Sequence, residues 1–215
     1  MPKRILPAIR DFVQILVDGW GKPGVSEGDG DRSLQFNSGG VQRLMRVSAP
    51  FELNLSYTRS MMGFLLFNAE PQHILLVGLG GGSLSKYCYR QFPQAHITTL
   101  EINPDVIALR DEFLVPQDNE RFQVVHTDAC EYLARNDVHA DIILLDGYDA
   151  EGLPNCLCTE SFYSNCWQAL SAQGVLVANL WGGESNRGIY LNRLRGIFDG
   201  RVWWCKPRAS SNLIV

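Results

Sequence analysis

From His73 to Trp181 the chain alternates between short apolar runs and stretches of helical spacing. The apolar runs are ILLVGL, HITTLEI, FQVVHTD, ADIILLDGYD and VLVANLW. Between them lie SLSKYCYRQF, PDVIALRDEF, ACEYLARN and TESFYSNCWQALSAQG, the last read as a helix closed by Gly174. Pro104 and Asp105 suit the first turn of their helix. Apolar strands separated by helices predict an α/β fold with a mainly parallel sheet covered on both faces. A helix over GIYLNRLRGIFDG follows, and RVWWCKP and NLIV read as closing strands.

The chain upstream has a different texture. GKPGVSEGDGDRS, from Gly21 to Ser33, is rich in turn formers and predicts a loop. LQFNSGGVQRLMRV reads as two strands around Asn37-Ser38-Gly39-Gly40, a short β-hairpin unit. LNLSYTRSMMGFLLF takes helical spacing from Ser56 onward. Residues 1–52 are therefore read as an N-terminal segment with a short β unit, and 53–215 as the α/β body. The opening MPKRILPAIRDFVQILVDGW is interrupted by Asp11 and lacks a small-residue cleavage pattern. It is expected to be a short helix or strand rather than a signal peptide, and no apolar run reaches membrane-spanning length.

Composition narrows the function classes. Hydrophobic residues make up 46% and charged residues 20%, the balance of a chain that buries a core. A net charge of -4 gives nucleic-acid binding no support. The six cysteines, without a secretory signal, are expected as free thiols in a reducing, cytoplasmic setting. Cys156 and Cys158 form a lone C-x-C without the second ligand pair of a structural zinc site, so no metal is expected. Trp167, within a helix, is expected in the core.

In sheets of this kind ligands lie beyond the carboxyl ends of the strands. Gly78, Gly80, Gly81 and Gly82 follow the first strand of the body. They fit either a tight strand-to-helix turn or a turn over which a nucleoside cofactor lies. Glu101 ends the second strand, about twenty residues on, where a carboxylate accepts from ribose hydroxyls. The other reading is a solvated acid. Asp128 ends the third strand; it suits the exocyclic amine of adenine, with Ala129 leaving room for a flat base, or the N-cap of the next helix. Different oxygens can do both. Asp146 and Asp149 follow the fourth strand. They fit a pair that orients a cationic amine and takes its proton, or a self-capped Asp-rich turn.

These segments resemble the spermidine synthase family, the polyamine aminopropyltransferases, over about residues 34 to 215. VGLGGGSL is similar to the family's glycine loop, LEINPDVI to its ribose-binding acid segment, HTDACEYL to its adenine-proximal segment and LLDGYDAEGLP to its catalytic loop. The resemblance implies a Rossmann-like, S-adenosylmethionine-dependent methyltransferase fold. It implies transfer of an aminopropyl group from decarboxylated S-adenosylmethionine to a small amine or polyamine, without a metal, by a homodimer. It gives Gly78, Gly80, Gly81, Gly82, Glu101, Asp128 and Ala129 to the donor, Asp146 to proton acceptance and Asp149 to anchoring the acceptor amine. GGVQ and LSYTRSM further place an active-site glutamine on Gln42 and a tyrosine on Tyr57; a hairpin polar residue and a helix-packing aromatic are their plainer roles. The chain departs from the family pattern at Gly81, where the family has an acid that holds the donor's amine. It departs again at Ala150 and Leu153 of the catalytic loop, and its amino-terminal part is short for the family's β domain. Methyl transfer from S-adenosylmethionine, or a non-catalytic member of the fold, are the alternatives those departures leave open.

Overall fold

A computed structural model describes residues 22–36, 40–135, 137–149, 152–183 and 185–215. The expected element in the first twenty residues, the Asn37-Ser38-Gly39 turn and Ala150 lie outside them. The chain first makes a three-stranded antiparallel sheet from β1 (Pro23–Gly28), β2 (Asp31–Phe36) and β3 (Gly40–Arg46). The loop expected over Gly21 to Ser33 is thus corrected: it holds β1 and the start of β2. Asp29 and Gly30 both take positive φ, 52° and 80°, at the turn between them. Asp-Gly supports that two-residue hairpin turn, whose twist matches its strands.

Next come α1 (Ser56–Met61) and a 3-10 turn (Met62–Leu66), then the body. Its strands are β4 (His73–Val77), β5 (His96–Glu101), β6 (Phe122–His126), β7 (Ala140–Leu145), β8 (Leu170–Leu180) and β9 (Leu213–Ile214). Its helices are α2 (Ser83–Gln91), α3 (Pro104–Ala108), α4 (Ala129–Leu133), α5 (Glu160–Ala169) and α6 (Arg187–Ile197). The sheet order is β6-β5-β4-β7-β8-β9, parallel except for β9. Successive side chains of a strand point to opposite faces. Ile74, Leu76, Ile97, Ile142 and Leu144 accordingly pack on one side with Met61, Phe64, Leu84 and Cys88, joined by Leu34 and Met45 of the first sheet. Leu75, Val77, Leu100, Ile143 and Leu145 pack on the other with Leu133, Phe162, Tyr163 and Leu194.

Several boundaries differ from expectation. The helix expected to run to Gly174 ends at Ala169, and β8 begins at Leu170. Ala140 pairs with Leu170 across a bulge, and Ser171 Oγ donates to Asp141 Oδ1 at 2.7 Å, so strand pairing overrides the helical spacing. RVWWCKP contributes only a bridge from Cys205 to Ile214, while NLIV supplies β9. Trp167 is 41% exposed rather than core: its ring meets Phe198 edge-on at 5.1 Å, with the Arg201 guanidinium over it. Asp141 sits at the amino end of β7, away from the ligand edge, as its position in the run suggests. Burial raises its pKa, but hydrogen bonds from Ser171 Oγ and the Gln72 and His73 amides outweigh that and hold it below the usual range.

Lys86 ties α2 to the first sheet. Its fully buried Nζ donates to the Phe113 carbonyl at 2.5 Å and to Met45 Sδ at 3.1 Å. Burial pushes its pKa down from 10.5 to about 8. Between those values the unfolded chain holds a proton that the folded chain has released, so the stability due to this group rises with pH across that window. In urea unfolding at fixed pH, wild type is expected to gain on Lys86→Met as pH rises from about 8. A gap that stays constant with pH would count against a titrating buried amine.

Candidate active site

The sheet order places its switch point between β4, which runs on to β5, and β7, which runs on to β8. The turns after β4 and β7 meet there. Gly78 has φ 96°, and a Cβ on it would stand 2.5 Å from the Asp146 carbonyl oxygen. Only glycine allows that approach. The Asp146 amide donates to the Val77 carbonyl at 3.0 Å, fixing the two turns together. The glycine run therefore does the work of a tight turn, and that same work brings a backbone edge beside an acid.

Asp146 is 2% exposed. Its Oδ1 accepts from Asn179 Nδ2 at 2.8 Å, and its Oδ2 accepts from the Tyr57 hydroxyl at 3.3 Å. Asn179 in turn accepts on Oδ1 from Asn212 Nδ2 at 2.8 Å. A buried carboxylate needs such partners, and here they come from α1 and β8, with Asn212 of the segment before β9 holding Asn179 in turn. A narrow cleft opens beside it, lined by Asn54, Leu55, Tyr57, Gly78, Leu79 and Asp146 among others. The fold thus brings Tyr57, Gly78 and Asp146 together. Asn179 and Asn212 were not foreseen. The signal for Asn179 is a polar side chain set inside an apolar strand run, VLVANL, whereas Asn212 stands just ahead of the apolar LIV.

Glu101 is nearly buried and is not the solvated acid of the plainer reading. Oε2 accepts from the Leu79 amide and Oε1 from the Asn103 amide, each at 2.9 Å, so it clasps the glycine turn to the start of α3. Each carboxylate oxygen has acceptor capacity beyond one such bond. Asp128 is the N-cap of α4: Oδ1 accepts from the Cys130 amide at 2.7 Å, and Ala129 beside it is buried. Asp149 is exposed, and its Oδ1 accepts from the Gly152 amide at 3.0 Å, the self-capped turn. Tyr148 between the acids bridges strand ends, donating to the Asn179 carbonyl at 2.9 Å and accepting from the Trp181 amide at 2.7 Å. Gln42 lies on β3 at a bulge, skipped as pairing steps from Leu34–Arg43 to Gln35–Val41. Gly80, like Gly78 and Gly82, has positive φ, and Gly81 is buried in the turn.

Three thiols or acids meet outside the cleft. One ligand atom each of Asp128, Cys130 and Cys156 lies within 4.8 Å of the other two. The sequence paired Cys156 with Cys158, whereas the fold sets it beside Cys130. Cys158 is buried, its thiol donating to the Asn155 carbonyl at 3.2 Å.

Among the described residues no helix is long and apolar enough to cross a membrane. The fold has relatives among solved structures. The human methyltransferase-like protein 13, in complex with SAH, superposes with a TM-score of 0.67 at 23% identity, covering 74% of this chain and 80% of that one. The spermidine synthase of Thermotoga maritima superposes with a TM-score of 0.59 at 20% identity, over 90% of this chain and 71% of that one. At those identities the likeness is one of fold, the Rossmann-like methyltransferase fold. In sequence, the polyamine aminopropyltransferase of Neisseria meningitidis serogroup A is 39% identical over 215 residues, 99% of this chain and 79% of its own length. The spermine/spermidine synthase domain matches residues 54–182, a span that takes in Tyr57, the glycine turn, Glu101, Asp128, Asp146 and Asn179. Carried by both that domain match and the identity along nearly the whole chain, the conclusion is that this protein belongs to the spermine/spermidine synthase family, the polyamine aminopropyltransferases.

Proposed function

We propose that the chain transfers an aminopropyl group from decarboxylated S-adenosylmethionine to a polyamine. The observation that carries this reading is Asp146, a buried carboxylate on the wall of the cleft, aimed by Tyr57 and Asn179. A protonated amine has no lone pair to attack with. Asp146 accepts that proton as the amine nitrogen attacks the donor carbon bound to sulfonium sulfur. The C–N bond forms, the C–S bond breaks, and sulfur leaves as a neutral thioether nucleoside. Holding both reactants in line supplies much of the rate, and the positioned base supplies a further part.

The remaining roles extend the same reading. Glu101 accepts from the ribose hydroxyls with the capacity its two amide bonds leave. Asp128 takes the adenine amine on the oxygen not used by the cap, beside Ala129. The backbone of Gly78, Gly80, Gly81 and Gly82 lets the donor approach closely. Asp149, exposed at the loop, anchors the distal ammonium of the acceptor, with Tyr57 and Gln42 on the acceptor side. A cytoplasmic setting suits the six free cysteines. A homodimer belongs to the same proposal, and the exposed side chains of Leu66, Phe67, Trp203 and Trp204 offer it an apolar surface.

Gly81 favours a second reading, methyl transfer. Without an acid there, the donor's amine loses a partner and the carboxylate of ordinary S-adenosylmethionine meets no repulsion. Parallel calorimetric titration with the two donors separates the readings. Tighter binding of the decarboxylated donor is the expected result. Preference for the carboxylated donor would move the assignment to methyl transfer, and binding of neither would remove transfer altogether.

A further inference from the structure

We propose that Asp128, Cys130 and Cys156 form a binding site for one divalent cation of the zinc class. This goes beyond the transfer reading and shares one residue with it: Oδ1 of Asp128 caps Cys130, so the cation takes the other oxygen, the one proposed for adenine, and ion and nucleoside exclude each other there. The ligand set is two sulfurs and a carboxylate oxygen, the donor types that zinc takes among N, S and O. The three atoms already lie within 4.8 Å of one another. Ligands about 2.0–2.3 Å from a shared ion sit closer than that. Cys156 is exposed and Cys130 half-buried, so the proposal requires these side chains to draw in around the ion.

The backbone beneath the site is fixed. Asp128 Oδ1 caps the Cys130 amide, which holds these two residues in one rigid turn. Cys156 belongs to a 3-10 turn (Asn155–Cys158), and its carbonyl accepts from Thr159 Oγ1 at 3.1 Å. Two chain segments remote in sequence, one after β6 and one after β7, thus present the ligands to each other. Cys130 is half-buried and Cys156 exposed, so an ion has a way in. On binding, the thiols give their protons to solvent and the two thiolates and the carboxylate hold the cation. Its fourth position is left to water, as in three-ligand zinc sites. The bound ion would clasp the loop that follows Asp149 to the first turn of α4.

The test is titration of the reduced, full-length protein with Co²⁺, followed by displacement with Zn²⁺. One equivalent is expected to bind with thiolate-to-cobalt charge-transfer absorption, and Zn²⁺ is expected to remove it. Cys130→Ser and Cys156→Ser should each abolish the absorption, whereas Cys205→Ser, at an exposed thiol elsewhere, should leave it. Asp128→Asn keeps an N-cap acceptor but should weaken binding by at least about tenfold, the loss typical of even an outer partner at a metal site. No charge-transfer band in wild type, or a band that survives in either Cys130→Ser or Cys156→Ser, would overturn the site. A second measurement needs no variant. Zn²⁺ should protect Cys130 and Cys156, but not Cys205, from alkylation mapped by peptide mass spectrometry; equal alkylation with and without Zn²⁺ contradicts the proposal.

Discussion

Asp146→Asn is expected to lower turnover by about 10²–10⁴-fold, the range a positioned general base supplies, while leaving nucleoside binding near wild type. The substitution is close to isosteric. The new amide can present its oxygen to Asn179 Nδ2 and its NH₂ to the Tyr57 hydroxyl, so both hydrogen bonds of Asp146 have replacements. The buried network therefore survives, and what disappears is the negative charge and the basic lone pair. Steady-state turnover and calorimetric nucleoside titration on the same preparation separate the two effects. Equal loss of both would make Asp146 a structural residue and take the base out of the mechanism.

Gly78→Ala is expected to destabilise the fold by roughly 4 kcal/mol or more, among the exceptional single-residue effects. Two costs combine. A side chain at φ 96° is strained wherever it sits. Its Cβ would also stand 2.5 Å from the Asp146 carbonyl oxygen and 3.0 Å from Gly147 Cα. Both obstacles are backbone, so no rotamer change relieves them. Against a total stability of about 5–15 kcal/mol, the loss is a large fraction, and the variant that folds should also carry a displaced Asp146. Urea midpoints measure the first effect and turnover the second. A midpoint within experimental scatter of wild type would mean that the turns after β4 and β7 do not approach as closely as described.

Much of this site was legible because the strand ends were legible. Apolar runs ending in Gly78, Glu101, Asp128 and Asp146 can be placed at one sheet edge from chain order alone, since parallel strands share an orientation. The parts that were not legible depend on which strands become neighbours. Asn179 and Asn212 hydrogen-bond because β8 lies beside β9, and a single sequence does not say which strand will flank which. Cys156 has a near neighbour in sequence, Cys158, and a different one in space, Cys130. Local readings failed where a competing signal was stronger. Asp29-Gly30 marked a hairpin turn, yet the polar composition around it read as loop. Gly174 resembled a helix cap, yet the pairing of Leu170 with Ala140 and of Ser171 with Asp141 drew that segment into β8. At Asp128 and Asp149 the plainer alternatives, a cap and a self-capped turn, are present. Each uses the Oδ1 oxygen of its acid.

The central claim is aminopropyl transfer to a polyamine, and the most direct measurement is the mass of the acceptor after reaction. A diamine is incubated with enzyme and decarboxylated S-adenosylmethionine, and in parallel with S-adenosylmethionine. The account predicts an acceptor heavier by one aminopropyl group with the decarboxylated donor, matched by release of an equal amount of thioether nucleoside. An acceptor heavier by a methyl group, formed with S-adenosylmethionine and not with its decarboxylated form, would contradict it.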